Sequence, residues 1–128
     1  MSNIFLEHVN ITVTDAIKSA ELPVRLFGWK VRWQGKALDS GYTVHVGNEH
    51  SYLAFYAPPR DLGEKPKEYS QRATLSHIGV VVDDIEAIEA RVLVEGIETH
   101  SHQDYKPGKR FYFNDHDGVE YEVVSYRQ

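Results

Sequence analysis

Three residues of this chain have the side chains of a metal site: His8, His77 and Glu122. His8 lies in Leu6-Glu7-His8-Val9-Asn10-Ile11-Thr12-Val13-Thr14-Asp15. The pattern returns as Leu75-Ser76-His77-Ile78-Gly79-Val80-Val81-Val82-Asp83-Asp84, an offset of 69 residues that carries His8 onto His77 and Asp15 onto Asp84. The same offset, carried to the last strand of each copy, sets Leu53 against Glu122. Imidazole suits Fe, Mn, Co, Ni and Zn, and two His with one carboxylate leave open positions for water, substrate or O₂. A lone strand histidine is more often a half-buried structural residue. Two at equivalent places of a repeat, both facing away from the apolar side, shift the balance toward ligation.

The elements that must position these residues follow from the period of the apolar residues. Ile4 to Thr14 alternates, with Phe5, Val9, Ile11 and Val13 on one face and His8, Asn10 and Thr12 on the other, the pattern of a strand buried on one side. Asp15 is placed to cap a helix through Ile17, Ala20 and Leu22. Pro23 fits poorly inside a helix and predicts an interruption or an early end there. Three strands follow, Trp29 to Gln34, Tyr42 to Val46 and Ser51 to Tyr56, with Gly35, Gly41 and Gly47-Asn48 between them.

The second copy repeats the order. Leu75 to Val82 reads as a strand, and Asp83-Asp84 opens a helix carrying Ile85, Ile88, Val92 and Leu93, closed by Gly96. Strands are predicted near Ile97 to His100, Arg110 to Phe113 and Val119 to Tyr126, with a turn at Asn114-Asp115-His116-Asp117-Gly118. The fold class is therefore α+β, two tandem βαβββ modules. They occupy residues 1–57 and 74–128 of a single domain, joined by a charged, Pro-rich linker over 58–73. Duplication of this kind sets the architecture before any local reading does.

Composition narrows the function. The 128 residues are 41% apolar and carry a formal charge of −5, which gives a sizeable core but no basic face for nucleic acid or an anionic membrane. There is no Cys, so neither disulfides nor a thiolate nucleophile enter, and a reducing compartment fits. The N-terminus lacks the basic and apolar regions of a secretory signal, and no run approaches the ~20 apolar residues of a membrane span. The expected location is the cytoplasm.

The residues also carry a family likeness. The chain resembles the vicinal oxygen chelate superfamily, which includes glyoxalases, bleomycin-resistance proteins, methylmalonyl-CoA epimerases and extradiol dioxygenases. The likeness rests on Glu7-His8-Val9-Asn10-Ile11 with Asp15, on Leu26-Phe27-Gly28-Trp29, on Ser76-His77-Ile78-Gly79-Val80, and on the closing run Phe111-Tyr112-Phe113-Asn114-Asp115-His116-Asp117-Gly118-Val119-Glu120-Tyr121-Glu122. It implies that the paired modules form a curved mixed sheet cupping a divalent metal, held by His8, His77 and Glu122. It also implies a homodimer and a small-molecule substrate with adjacent oxygens.

Two departures shape the expected reaction. Many relatives carry a fourth ligand at the place assigned to Leu53, and three ligands are similar to the set of extradiol ring-cleaving dioxygenases. Tyr112 stands where those enzymes carry a Tyr that orients substrate, and His102 is the nearest candidate for their acid–base His. His116 stands where the family usually has Pro. The first expectation is thus an Fe²⁺ ring-cleaving dioxygenase; Mn²⁺, Ni²⁺, Co²⁺ and Zn²⁺ also suit the ligands. The competing readings are a metal-dependent isomerase or lyase, and a metal-free small-molecule binder of the drug-resistance kind. His45 and His50 are alternative fourth ligands, though turn or surface histidines are the commoner reading, as exposed loop positions are for His100 and His102. Trp33, Tyr42, Tyr52, Tyr56 and Tyr105 read either as pocket lining or as cross-strand packing. Lys109 and Arg110 read either as partners of an anionic substrate or as solvated loop residues, and Glu120 as solvated or as support for a ligand.

Overall fold

A computed structural model describes residues 3–127. The chain divides into two compact units, Met1–Leu62 and Gly63–Gln128, each with one helix and a four-stranded mixed sheet. In the first unit, β1 (His8–Thr12) is followed by α1 (Ala16–Phe27), β2 (Lys30–Lys36), a short 3₁₀ turn at Leu38–Ser40, β3 (Tyr42–Gly47) and β4 (Tyr52–Ala57). The strands lie in the order β1-β4-β3-β2, with β1 parallel to β4 and the other pairs antiparallel. The second unit repeats this with β5 (Ile78–Val81), α2 (Ile85–Val94), β6 (Thr99–Tyr105), β7 (Gly108–Asn114) and β8 (Glu120–Ser125), ordered β5-β8-β7-β6.

Both helices begin on the expected caps. Asp15 Oδ1 accepts from the Lys18 N–H at 3.0 Å, and Asp84 Oδ1 accepts from the Ala87 N–H at 3.1 Å, relieving donors that the first turn leaves orphaned. Pro23 does not end α1. The helix runs through it to Phe27 and closes on Gly28 at φ 71. Pro cannot donate to the preceding turn, at a cost of roughly 3 kcal/mol. Burial of Ala20, Leu22, Pro23 and Leu26 against the sheet offsets that cost.

One face of each sheet packs on its helix. In the first unit Val44, Val46, Leu53 and Phe55 make that layer, and in the second Phe111, Phe113, Tyr121 and Val123 do, all buried. The opposite face carries the polar residues of the same strands, as alternation requires. The first strand is shorter than its alternation predicts. It begins at His8, and Ile4, Phe5 and Leu6 are exposed, so Phe5 does not join Ile11 and Val13 in the core.

Candidate metal and substrate site

The sheet face turned away from α2 gathers most of the candidate residues of the second unit. His77, just ahead of β5, sets its Nε2 3.0 Å from Glu122 Oε1 on β8. Tyr112 on β7 pairs across the ladder with Glu122, and its ring stands edge-on to the imidazole of His77 with centroids 5.5 Å apart. Gly79 is the β5 partner of Glu122, and open space lies where its side chain would be. A small molecule could approach His77 and Glu122 there. Arg110 Nη1 donates to the other oxygen of Glu122 at 2.9 Å, so this carboxylate is already paired with a cation.

Tyr112 is held in its protonated form. Burial pushes its hydroxyl above the usual phenol range, and the Glu122 carboxylate beside it adds to the effect. A phenol of this kind donates a hydrogen bond at neutral pH.

Sequence reasoning missed one neighbour of this group, Tyr69, and read another, His100, as an exposed loop residue. Tyr69, within the segment expected to be a plain linker, donates its hydroxyl hydrogen to Glu120 Oε1 at 2.6 Å and lies 3.0 Å from His77 Nδ1. No local pattern marks it, since its role depends on the loop folding back over β8. His100 also lies on this face, stacked beside Tyr112 and 2.8 Å through Nε2 from Asn114 Oδ1.

His102 lies elsewhere. An irregularity in the β6–β7 register between His100 and Gln103, with Ser101 at φ 57, turns His102 to the helix side. Its Nε2 stands 2.6 Å from Glu89 Oε2 of α2, and its ring lies over Phe111. The structure therefore does not bring His102 together with Tyr112 and Glu122. A bulge changes which residues share a face, and nothing in Thr99-His100-Ser101-His102 announces one.

Thr99 donates to the same Glu89 oxygen. Burial pushes the Glu89 carboxyl up, but hydrogen bonds from Thr99 and His102 outweigh it and leave the group below its ordinary value of 4.5. A carboxyl that titrates lower when folded stabilises the fold above its ordinary value, and loses that contribution as pH falls through the lower folded value. Urea titrations of the wild type and Glu89→Gln should therefore differ near neutral pH and converge below pH 4.5. An equal gap at both ends would show that this contact does not titrate as described.

The first unit offers a different face. His8 stacks on Tyr52 at 4.9 Å, and Tyr52 on His45 at 4.6 Å, with Trp33 beyond. The Arg32 guanidinium lies 4.5 Å over the Tyr52 ring. His8 Nδ1 contacts Glu7 Oε1 at 2.8 Å, and this bond holds the exposed Glu7 carboxyl below the usual carboxylate range. Burial pushes the His45 imidazole down, helped by the charges of His8 and Arg32. His50 sits outside the group, in a turn where its N–H donates to the Asn48 side chain.

Leu53 is not the counterpart of Glu122. Val9 pairs with Leu53 and Ile78 with Tyr121, so in the last strands the repeat is offset by 68 residues, not 69. Leu53 matches Tyr121, and both are buried toward the helix. Ala54, paired with His45 as Glu122 is with Tyr112, holds the place of the carboxylate. A one-residue slip moves a side chain to the other face of a sheet. The signal was present, because the apolar phase of Leu53 and Phe55 matches that of Tyr121 and Val123. Neither Leu nor Ala can ligate, so the slip brings no donor to this place.

A family model described as Glyoxalase/Bleomycin resistance protein/Dioxygenase superfamily matches residues 5–123. The chain belongs to this superfamily. Solved structures share the fold at low identity. A glyoxylase/bleomycin resistance protein/dioxygenase domain from Frankia sp. EAN1pec is 20% identical, with 98% of this chain and 100% of that one covered and a TM-score of 0.82. A glyoxalase family protein from Enterococcus faecalis is also 20% identical, covering 94% and 96%, at 0.76. The fosfomycin resistance protein FosX from Listeria monocytogenes, solved with Mn(II) and sulfate, is 15% identical, covering 98% and 93%, at 0.70. No curated protein sequence matches. Among the described residues, no helix of this superfamily member is long and apolar enough to cross a membrane.

Proposed function

We propose that this superfamily member is a metal-dependent enzyme acting on a small molecule with two adjacent oxygens, with His77, Glu122 and His8 as the metal ligands. The observation that carries the reading is the 3.0 Å approach of His77 Nε2 to Glu122 Oε1 beside the open space at Gly79. Two donors each about 2.0–2.1 Å from one ion stand roughly this far apart. Among the described residues no three His, Asp or Glu side chains are grouped so as to hold one metal ion, so the pair needs a further donor, for which His8 is proposed as the equivalent of His77 in the repeat. A divalent ion held there, Fe²⁺ first and Mn²⁺, Ni²⁺, Co²⁺ or Zn²⁺ as alternatives, would polarise the chelating oxygens and, as Fe²⁺, activate O₂.

The chain's own residues do the rest. Tyr112 donates to a substrate oxygen, which its raised hydroxyl pKa allows, and Arg110 offsets negative charge on Glu122. Ala54 in place of a fourth donor favours ring cleavage of a catechol-like substrate. An isomerase or lyase with Glu122 doubling as base is the competing reaction. The protein is proposed to act as a homodimer in the cytoplasm. The Arg110–Glu122 pair favours a second reading, a metal-free small-molecule binder, because it already satisfies the carboxylate.

Metal content of anaerobically purified protein, by mass spectrometry, separates these readings. The wild type should retain stoichiometric metal that His8→Ala and His77→Ala lose. Iron, with oxygen uptake on a catechol panel, supports ring cleavage. A wild type that takes up no metal on reconstitution ends the enzyme reading and leaves the binder.

A further inference from the structure

Tyr69 has one hydroxyl hydrogen and two polar neighbours. Its oxygen lies 2.6 Å from Glu120 Oε1 and 3.0 Å from His77 Nδ1. A carboxylate only accepts, so the hydrogen goes to Glu120 over the shorter distance. The bond at His77 then closes only if Nδ1 is the donor and the phenol oxygen the acceptor. The Glu122 carboxylate facing Nε2 at 3.0 Å accepts in turn only where Nε2 also carries a hydrogen, the one that a metal ion at this place would displace. We infer that Tyr69 is a positioning residue that keeps a hydrogen on His77 Nδ1 and aims Nε2 at Glu122.

Three observations agree with this. The His77 and Tyr69 rings lie against each other at 6.5 Å, so the contact constrains the imidazole plane as well as one nitrogen. Glu120, the final acceptor, is mostly buried, its side chain 11% exposed, which limits competition from water. Tyr69 itself sits at φ 67, in the left-handed region. That costs a non-glycine residue roughly 1–2 kcal/mol, and such outliers persist where the surrounding structure over-determines them.

For the function of this face the consequence is orientation. A histidine ligand whose second nitrogen donates to a fixed acceptor has its tautomer and ring plane set before metal arrives, and losing such a partner typically costs about 10–100-fold in metal affinity. The Tyr69 inference rests on the metal reading only for this last consequence. The hydrogen-bond chain itself exists in the metal-free protein.

Nitrogen NMR of the ¹⁵N-histidine-labelled, metal-free protein tests it directly. In the wild type, His77 Nδ1 should show the signature of a protonated nitrogen, and Tyr69→Phe should lose that preference. Glu120→Gln keeps an acceptor for the phenol and should leave the His77 pattern close to the wild type. Titration of the same proteins with Mn²⁺ or Zn²⁺ should then show about a 10-fold weaker site in Tyr69→Phe. A bare Nδ1 in the wild type, or ring nitrogens unchanged in Tyr69→Phe, overturns the inference even if metal binds. A protonated Nδ1 that depends on Tyr69, in a protein that binds no metal, upholds the positioning role and sinks the metal reading instead.

Discussion

Replacing Glu122 by Ala should abolish metal retention and destabilise the second unit, whereas Glu122→Gln should do mainly the first. The carboxylate meets two partners at once, His77 Nε2 at 3.0 Å and Arg110 Nη1 at 2.9 Å. Loss of a residue that only supports a ligand already weakens metal binding about 10–100-fold, so loss of the proposed anionic ligand should exceed about 100-fold. The stability effect has a separate origin. The Arg110 and Glu122 side chains are only 20% and 12% exposed, and removing one member of a buried pair leaves the other uncompensated, at about 3–5 kcal/mol when burial is complete. Residual exposure reduces that to roughly 1–3 kcal/mol for Glu122→Ala. Gln keeps an acceptor for Arg110 and should recover most of it. Metal titration and urea unfolding of the two variants check both halves. A Gln variant as unstable as the Ala variant would show that the negative charge of Glu122, not a neutral acceptor of the same shape, is what stabilises the pairing with Arg110.

Phe113→Ala should have the largest effect on stability alone. The ring is fully buried and stacks on Tyr121 at 4.9 Å with the planes 6° apart, in the layer between the β7–β8 ladder and α2. Truncating a buried Phe removes its transfer free energy and leaves a cavity, together about 3–5 kcal/mol, a large share of the 5–15 kcal/mol that stabilises a typical domain. Phe113 points away from the His77 face, because alternation puts it opposite Tyr112. Its loss should lower the unfolding midpoint while metal affinity, measured well below that midpoint, stays near the wild type. A loss under about 1 kcal/mol would mean that the layer collapses to fill the space.

These two effects separate what local sequence dictates from what it cannot. The Asp caps, the alternation of β1, β4 and β8 and the spacing of Ile85, Ile88 and Val92 are local chemistry. They were enough to read two βαβββ repeats, and with them the two helices and eight strands. They also picked out His77 and Glu122, which the fold brings within 3.0 Å. Where a local rule met a packed environment it lost: Pro23 stays helical because the residues around it are buried.

What the sequence by itself determined is the repeat, the order of elements and, in the regularly alternating strands, the face that carries the polar residues, since these depend on backbone capping and on apolar period. Tertiary structure alone decided the register and the reach of the loops. Ala54, not Leu53, stands opposite His45, because pairing between strands, not count along the chain, determines which residues are equivalent. A bulge sends His102 to Glu89 and leaves His100 beside Tyr112. Tyr69 reaches His77 and Glu120 across a loop whose path no periodicity records. The last two rest on a single irregular backbone angle and on contacts between residues distant in sequence, and neither leaves a trace in the local pattern. The place of Ala54 alone was legible, in the apolar phase that Leu53 and Phe55 share with Tyr121 and Val123.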